Sequence, residues 1–281
     1  MRDVVVENNH IEHAEKGVWI RDDAAGVLLR GNTTRDVGLP VVTREVLQRI
    51  RAEQLAKLSV QKQPIAHWSF DQVTGTAVFD QSPNRFTARV EGAVEFSPEG
   101  VRGQCAVFDG TGHLRVEGGN RLRLQTWTIA AWIKPATVEG RSGIIAKRTA
   151  NVAAPFVLGV RDGRLTFEGC SDENQWTFNF ASDVQIHPDR WQHVAAVIEQ
   201  GKGVTLYIDG KSVARKLVAE RLIQTDQDLW IGCDAWGGRP ADVKTRGYFL
   251  GALDEVKIWS RALSKTDLQT ECLDPAETSW K

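Results

Sequence analysis

The sequence predicts an all-β, two-sheet antiparallel sandwich for most of its 281 residues, on three observations. A dozen or more short apolar segments recur at near-regular spacing between breaks rich in Gly, Asn and Pro. Two of the breaks, Asp162-Gly163 and Asp209-Gly210, are Asp-Gly pairs between apolar runs, and that turn needs φ > 0 at both central positions. Within residues 64–270, helical pattern is confined to the end.

Composition narrows the function classes. A 42% apolar and 25% charged chain is ordinary globular protein. With a net charge of −1 it has no basic field to attract nucleic acid or anionic lipid. No run approaches the roughly 18 apolar residues of a membrane span. MRDVVVENN lacks the charged and apolar regions of a signal peptide. The 4 Cys form no CxxC and no metal-ligand spacing. Ten Trp against two Tyr and one Met make tryptophan the residue to follow.

Residues 1–38 read as terminal coils of a parallel β-helix. VVVENN at 4–9 and VLLRGN at 27–32 are offset by 23 residues, with Gly17-Val18-Trp19-Ile20 between them. Asn at a corner tolerates the left-handed region and bonds its own backbone. Two unrelated short strands packed on the main domain would give the same pattern. Two coils cannot bury their own core, since about three repeats are needed. On the coil reading the chain is the C-terminal part of a longer polypeptide.

Residues 39–63 read as a helical linker. In Thr43–Leu58, Leu47, Ile50, Leu55 and Leu58 approximate one stripe, Thr43 can cap, and Pro40 stops the preceding strand. Pro64 is the expected boundary. Strands follow at Ile65–Phe70, Ala106–Gly110, His113–Val116, Trp127–Lys134 and Ile144–Lys147, then a hairpin over Phe156–Phe167. Trp176–Phe180, Trp191–Glu199, Val204–Ile208, Ser212–Leu217, Leu229–Cys233 and Phe249–Trp259 complete the set. Ser264 then caps a short helix, with Asp267 three residues on.

Four stretches carry a family resemblance: WQHVAAVIEQGKGVTLYIDGKSVAR at 191–215, FLGALDEVKIWSRALS at 249–264, HWSFD at 67–71 and DQSPN at 80–84. In wording and order they resemble the laminin-G-like, concanavalin A-like jelly-roll domains. The resemblance covers about residues 64–270, implies jelly-roll topology, and leaves 271–281 as a tail.

That family also hosts laminarinase-type glycoside hydrolases, which need two carboxylates roughly 5–9 Å apart across the sugar bond. Their ExDxxE spacing is absent. Asp254 and Glu255 are adjacent, so a regular strand points them to opposite faces. Glu168 and Glu173 flank a turn with no third acid. His193 falls in a structural family position, His187 in a loop, and no Ser or Cys sits in a nucleophile motif with His. The segment therefore reads as non-catalytic. The resemblance also implies a structural Ca²⁺ at the sandwich rim, with Asp80, Asn84 and Asp254 as its ligands; an Asx-turn at Asp80 and a bulge cap at Asp254 are the alternative.

Sugar binding stacks an aromatic face on a pyranose, with polar groups nearby for the hydroxyls. The resemblance makes Trp68, Trp132, Trp191 and Trp259 structural. Trp176, Trp230 and Trp236 fall outside those positions. Trp176 with Asp172, Glu173 and Asn174, and Trp236 with Arg239, are the ligand candidates, because loops on a rigid scaffold carry function. Either Trp can instead fold back as a loop lid. Cys170 and Cys233 end the strands leading into these loops; they either bridge or pack as small apolar residues.

The combined expectation is a non-catalytic, lectin-like module on an extracellular or cell-surface protein. Its partners are a glycan or polysaccharide and an upstream β-helix of the same polypeptide. The parent resembles polysaccharide lyases, hydrolases or adhesins. A protein-binding or purely structural jelly roll is the alternative.

Overall fold

A computed structural model describes residues 5–12, 16–19, 28–30, 33–35, 39–42, 49, 63–148, 154–172, 175–234 and 247–273. Contacts divide the chain into two compact units, 1–63 and 64–281. Among the described residues no helix is long and apolar enough to cross a membrane.

The first unit holds three parallel ladders. Val5–Glu7 pairs with Leu28–Arg30, His10–Glu12 with Thr33–Arg35, and Lys16–Trp19 with Leu39–Val42. Each joins residue i to i+23: Val5 to Leu28, His10 to Thr33, Lys16 to Leu39. Parallel pairing needs a long crossover, which is why a hairpin cannot produce it. The third ladder runs past residue 38 to Val42. Pro40 does not end its strand; the register pairs Lys16, Val18 and Trp19 but nothing with Pro40, which has no N–H to give. The expected Thr43–Leu58 helix lies outside the described residues except for Arg49, which is helical.

The second unit is the sandwich. One antiparallel sheet of nine strands runs, edge to edge, Phe180–Gln185, Arg164–Glu168, Val157–Arg161, Arg141–Ala146, Leu229–Ile231, His113–Val116, Ala88–Glu91, Ala77–Val78 and Val73–Thr74. The eight-stranded sheet runs Val94–Ser97, Cys105–Asp109, Leu250–Trp259, Trp127–Pro135, Gln192–Glu199, Gly203–Ile208 and Lys211–Lys216, with Ala66–Trp68 also pairing to Leu250–Trp259. The latter strand thus closes the fold between segments more than a hundred residues upstream.

Period-two alternation builds the core between the sheets. Leu158, Val160, Leu165, Phe167, Leu229 and Ile231 from one sheet meet Phe108, Ile129, Ile133, Val194, Leu206 and Leu253 from the other. Both Asp-Gly turns have the expected conformation: φ is 47° and 77° at Asp162 and Gly163, and 48° and 67° at Asp209 and Gly210. The C-terminal helix, α1 (Lys265–Glu271), carries a complete capping box between Ser264 and Asp267. It packs Leu268 with Leu263 onto Trp259, Ala130 and Ala195, on the outer face of the eight-stranded sheet.

Two expected elements differ. Residues 176–180 are not a strand; the chain turns at Thr177-Phe178 and pairs only from Phe180. The Leu229–Cys233 segment breaks at Gly232 (φ 79°), where a Cβ would meet the Phe108 ring at 2.2 Å. Of the four Trp expected to fill the core, Trp68 does so, donating its indole N–H to the Phe86 carbonyl. Trp132 and Trp259 are buried on the outer face of the eight-stranded sheet instead. Trp191 is only half-buried and belongs to no core cluster.

Candidate ligand-binding site

The outer face of the nine-stranded sheet carries a network of charges. The Arg148 side chain is fully buried and donates to both carboxylate oxygens of Asp234, through Nε to Oδ1 at 2.9 Å and through Nη2 to both at 2.6 Å. Arg141 donates to the same Asp234 and to Glu168, and Arg161 completes the pairing of Glu168 at 2.8 Å. Lys147, one residue before Arg148, points the other way and donates to the carbonyls of Gly119, Leu122 and Thr225. Burial holds its pKa down to about 8. Alternation on one strand end therefore sends two adjacent buried cations to opposite sides.

Trp176 sits on this network. The Arg148 guanidinium lies 5.0 Å from its ring centroid, a cation–π contact reinforced by desolvation of the cation. The indole also packs on Ala146, Ala154 and Val157 and remains half-buried. Just upstream, Ser171 N–H donates to the Gln175 carbonyl at 2.9 Å and Gln175 N–H returns to the Asp172 carbonyl, closing a tight loop that leaves Asp172 exposed. Arg148 thereby joins the 170–176 loop to Asp234, the residue that opens the second candidate loop. Glu173, Asn174, Trp236 and Arg239 lie outside the described residues. Cys170 and Cys233 are both fully buried and are not joined by a disulfide. Burial pushes the Cys170 thiol up. Trp230, the remaining candidate by position, is buried beside His113, with ring centroids 4.4 Å apart.

Arg141, Arg148 and Asp234 did not stand out in the sequence. Their only signal is Asp234 following Gly232-Cys233 at a strand end. No pattern in one chain pairs it with Arg148, 86 positions upstream.

The acids weighed for catalysis are committed elsewhere. Asp254 and Glu255 do not face opposite sides. A β-bulge opposite Ala131 puts Glu255 at φ 52°, so Leu253 and Val256 point inward while both acids point out. Arg102 engages both, its backbone N–H on Asp254 at 2.9 Å and its guanidinium on Glu255 at 3.3 Å. Glu255 also pairs with His67 and Lys257. Burial raises the Asp254 pKa to about 7. Against its own burial, Glu255 is held down to about 2 by the His67 hydrogen bond and Lys257.

A Cys–His contact that the sequence did not reveal lies beside this cluster: Cys272 Sγ is 3.1 Å from His193 Nδ1. Its electrostatics are the reverse of a nucleophile's. Burial, aided by Asp209 and Glu271, pushes the thiol up to about 12. Burial, aided by Lys257 and Arg102, pushes the imidazole down to about 3. Such a pair stays neutral and does not form a thiolate.

Calcium does not fit the residues expected to hold it. Both Asp80 oxygens are filled by donors: the N–H groups of His67 and Ser82 on Oδ1, the N–H of Phe86 and the Ser82 hydroxyl on Oδ2. Asp254 accepts the N–H of Arg102 on Oδ2 and that of Glu255 on Oδ1. Asn84 turns its NH₂ to the Ile65 carbonyl. N–H groups aimed at a carboxylate occupy the directions a cation needs. Among the described residues, no group of three or more His, Cys, Asp or Glu is placed to hold a metal.

The comparisons agree with this architecture. The family described as the concanavalin A-like lectin/glucanases superfamily matches residues 108–269. Among solved structures, the binding domain of Paraclostridial Mosquitocidal Protein 1 is 17% identical with a TM-score of 0.60, over 76% of this chain and 52% of that one. Domain 4 of AbnA, an extracellular arabinanase from Geobacillus stearothermophilus solved with arabinotriose, is 19% identical with a TM-score of 0.56, over 75% and 98%. The botulinum neurotoxin serotype D binding domain gives 16%, 0.58, 77% and 52%. The chain spans about half the length of the two toxin domains, and at these identities the likeness is one of fold. No curated protein matches the sequence.

Proposed function

This chain belongs to the concanavalin A-like lectin/glucanases superfamily, and from that premise we propose that its 64–281 unit is a non-catalytic, glycan-binding module. The observation that carries the reading is the bracing of Trp176. A half-buried indole backed by a buried guanidinium, itself clamped by Asp234, is a rigid aromatic plane. Stacking a pyranose on a plane already fixed avoids the cost of ordering it on binding. Asp172, Glu173 and Asn174 from one loop, and Trp236 and Arg239 from the other, supply the groups for sugar hydroxyls in this proposal.

The neighbouring arabinanase domain, solved with arabinotriose, supports a saccharide as the ligand class. The paired or neutralised states of Glu168, Asp254, Glu255 and Cys272 support a role without chemistry. We read the three ladders of the first unit as parallel β-helix coils, and the module as the glycan anchor of an extracellular or cell-surface parent. A glycan-array screen of the full chain, with Trp176→Ala beside it, tests the proposal. Binding lost in the variant with its melting temperature retained supports it; binding unchanged in the variant refutes the site.

A further inference from the structure

Trp191 was expected to be structural, yet it lines an open cleft of about 190 Å³ on the outer face of the eight-stranded sheet. The cleft is small against the ~300–1,000 Å³ of sites for drug-sized ligands, so it takes one ring rather than a chain. Small and apolar residues, Cys105, Val107, Gly251 and Ala252, line it together with Trp191 and the charged side chains of Lys134, Asp189 and Glu99. We propose that this cleft is a second saccharide site, specific for a single neutral or amino-substituted pyranose.

The strands that carry the cleft lie close together: a Cβ on Gly251 (φ 132°) would stand 2.3 Å from the Lys134 carbonyl oxygen, so only glycine permits this approach. The Trp191 side is held in place. Asp189 adopts φ 56° and donates its N–H to the Pro135 carbonyl at 2.8 Å, while Gln192 accepts the His187 N–H at 2.7 Å and closes the loop that carries Trp191.

The decisive contrast is in hydrogen bonding. Among the described residues the Trp191 indole N–H, the Lys134 ammonium and the carboxylates of Asp189 and Glu99 make no side-chain hydrogen bond or ion pair within the protein. Asp189 and Glu99 are exposed and Lys134 is half-buried, whereas the Arg148, Arg141, Arg161, Asp234 and Glu168 charges of the other sheet are held by one another. A ring stacked on Trp191 would meet two acceptors and two donors whose partners are otherwise water. One cation against two carboxylates gives these side chains a net charge of −1, which disfavours uronic acids and favours neutral or protonated amino sugars. The two sites would lie on outer faces of opposite sheets, so the inference stands whether or not the Trp176 site binds.

The test is fluorine NMR of the full chain labelled with fluorotryptophan, titrated with methyl glucoside, methyl galactoside, glucosamine and glucuronate. The Trp191 resonance is assigned by its loss in Trp191→Phe. The expected result is a saturable shift of that resonance with the neutral or amino sugars, in the roughly millimolar range, persisting in Trp176→Ala and weaker with glucuronate. Ala252→Phe, which fills the cleft, should abolish it. Glu99→Gln, an exposed change that leaves packing alone, should weaken glucosamine several-fold more than methyl glucoside. A Trp191 resonance unmoved by the whole series, a shift surviving Ala252→Phe, or an equal response to glucuronate would overturn the proposal.

Discussion

Trp176 and Trp191 stand on the outer faces of the two sheets, both half-buried, and their surroundings are opposites. Beneath Trp176 every charge is paired: Arg148 and Arg141 with Asp234, Arg141 and Arg161 with Glu168. Around Trp191 the lining includes Cys105, Val107, Gly251 and Ala252, and among the described residues the side chains of Lys134, Asp189 and Glu99 form no ion pair. The first arrangement fixes a ring and the second leaves room beside one. What a surface tryptophan does is therefore decided by the hydrogen bonds already made around it, more than by whether it lies on a loop or in a family motif.

The largest expected effect comes from breaking the first arrangement. Asp234→Ala leaves Arg148 buried without a carboxylate and Arg141 with only Glu168, and should cost about 3–5 kcal/mol by denaturant unfolding. A loss below ~1 kcal/mol would mean the pair is solvated in solution and cannot brace Trp176.

The second concerns the buried cluster under α1, where pH separates two adjacent acids. Asp254, with a pKa of about 7 in the fold against an ordinary 3.8, takes up a proton on acidification that the unfolded chain does not. Its contribution to stability thus rises as pH falls from about 7 to about 4. Glu255, held near 2, acts in the opposite sense, and its contribution is lost as pH falls from 4.5 toward 2. In Asp254→Asn the first term disappears. Between pH 7 and pH 4 its stability should fall with acid more steeply than the parent's, by up to about 1.4 kcal/mol per pH unit. Parallel curves would place Asp254 in water.

The smallest effect is calcium. With Asp80 already accepting four hydrogen bonds, chelator-stripped protein should melt within about 1 °C of protein in millimolar Ca²⁺. A saturable rise abolished by Asp80→Ala would show the Asp80 loop rearranging around a cation.

Much of the sandwich was legible because its signals are local. Asp162-Gly163 and Asp209-Gly210 demand positive φ at both positions, Ser264 and Asp267 form a capping box, and the i+23 echo of VVVENN in VLLRGN is the register of the first ladder. The sites were less legible because their partners are distant in sequence. Period-two reasoning put Asp254 and Glu255 on opposite faces, and one bulge residue at φ 52° reversed that. The family resemblance made Trp191 structural, yet the cleft it lines is shared with Gly251, 60 residues away, and the carboxylate that clamps Arg148 is 86 away.

The central claim is that a braced tryptophan on this fold presents a plane to a sugar. Its most direct test is binding of the full chain to an immobilised glycan array, with Trp176→Ala and Trp191→Ala measured in parallel and each variant's melting temperature recorded. The account predicts at least about a tenfold loss of oligosaccharide binding in Trp176→Ala with its fold retained. Oligosaccharide binding untouched by Trp176→Ala, or no glycan bound at all by the parent chain, would contradict it.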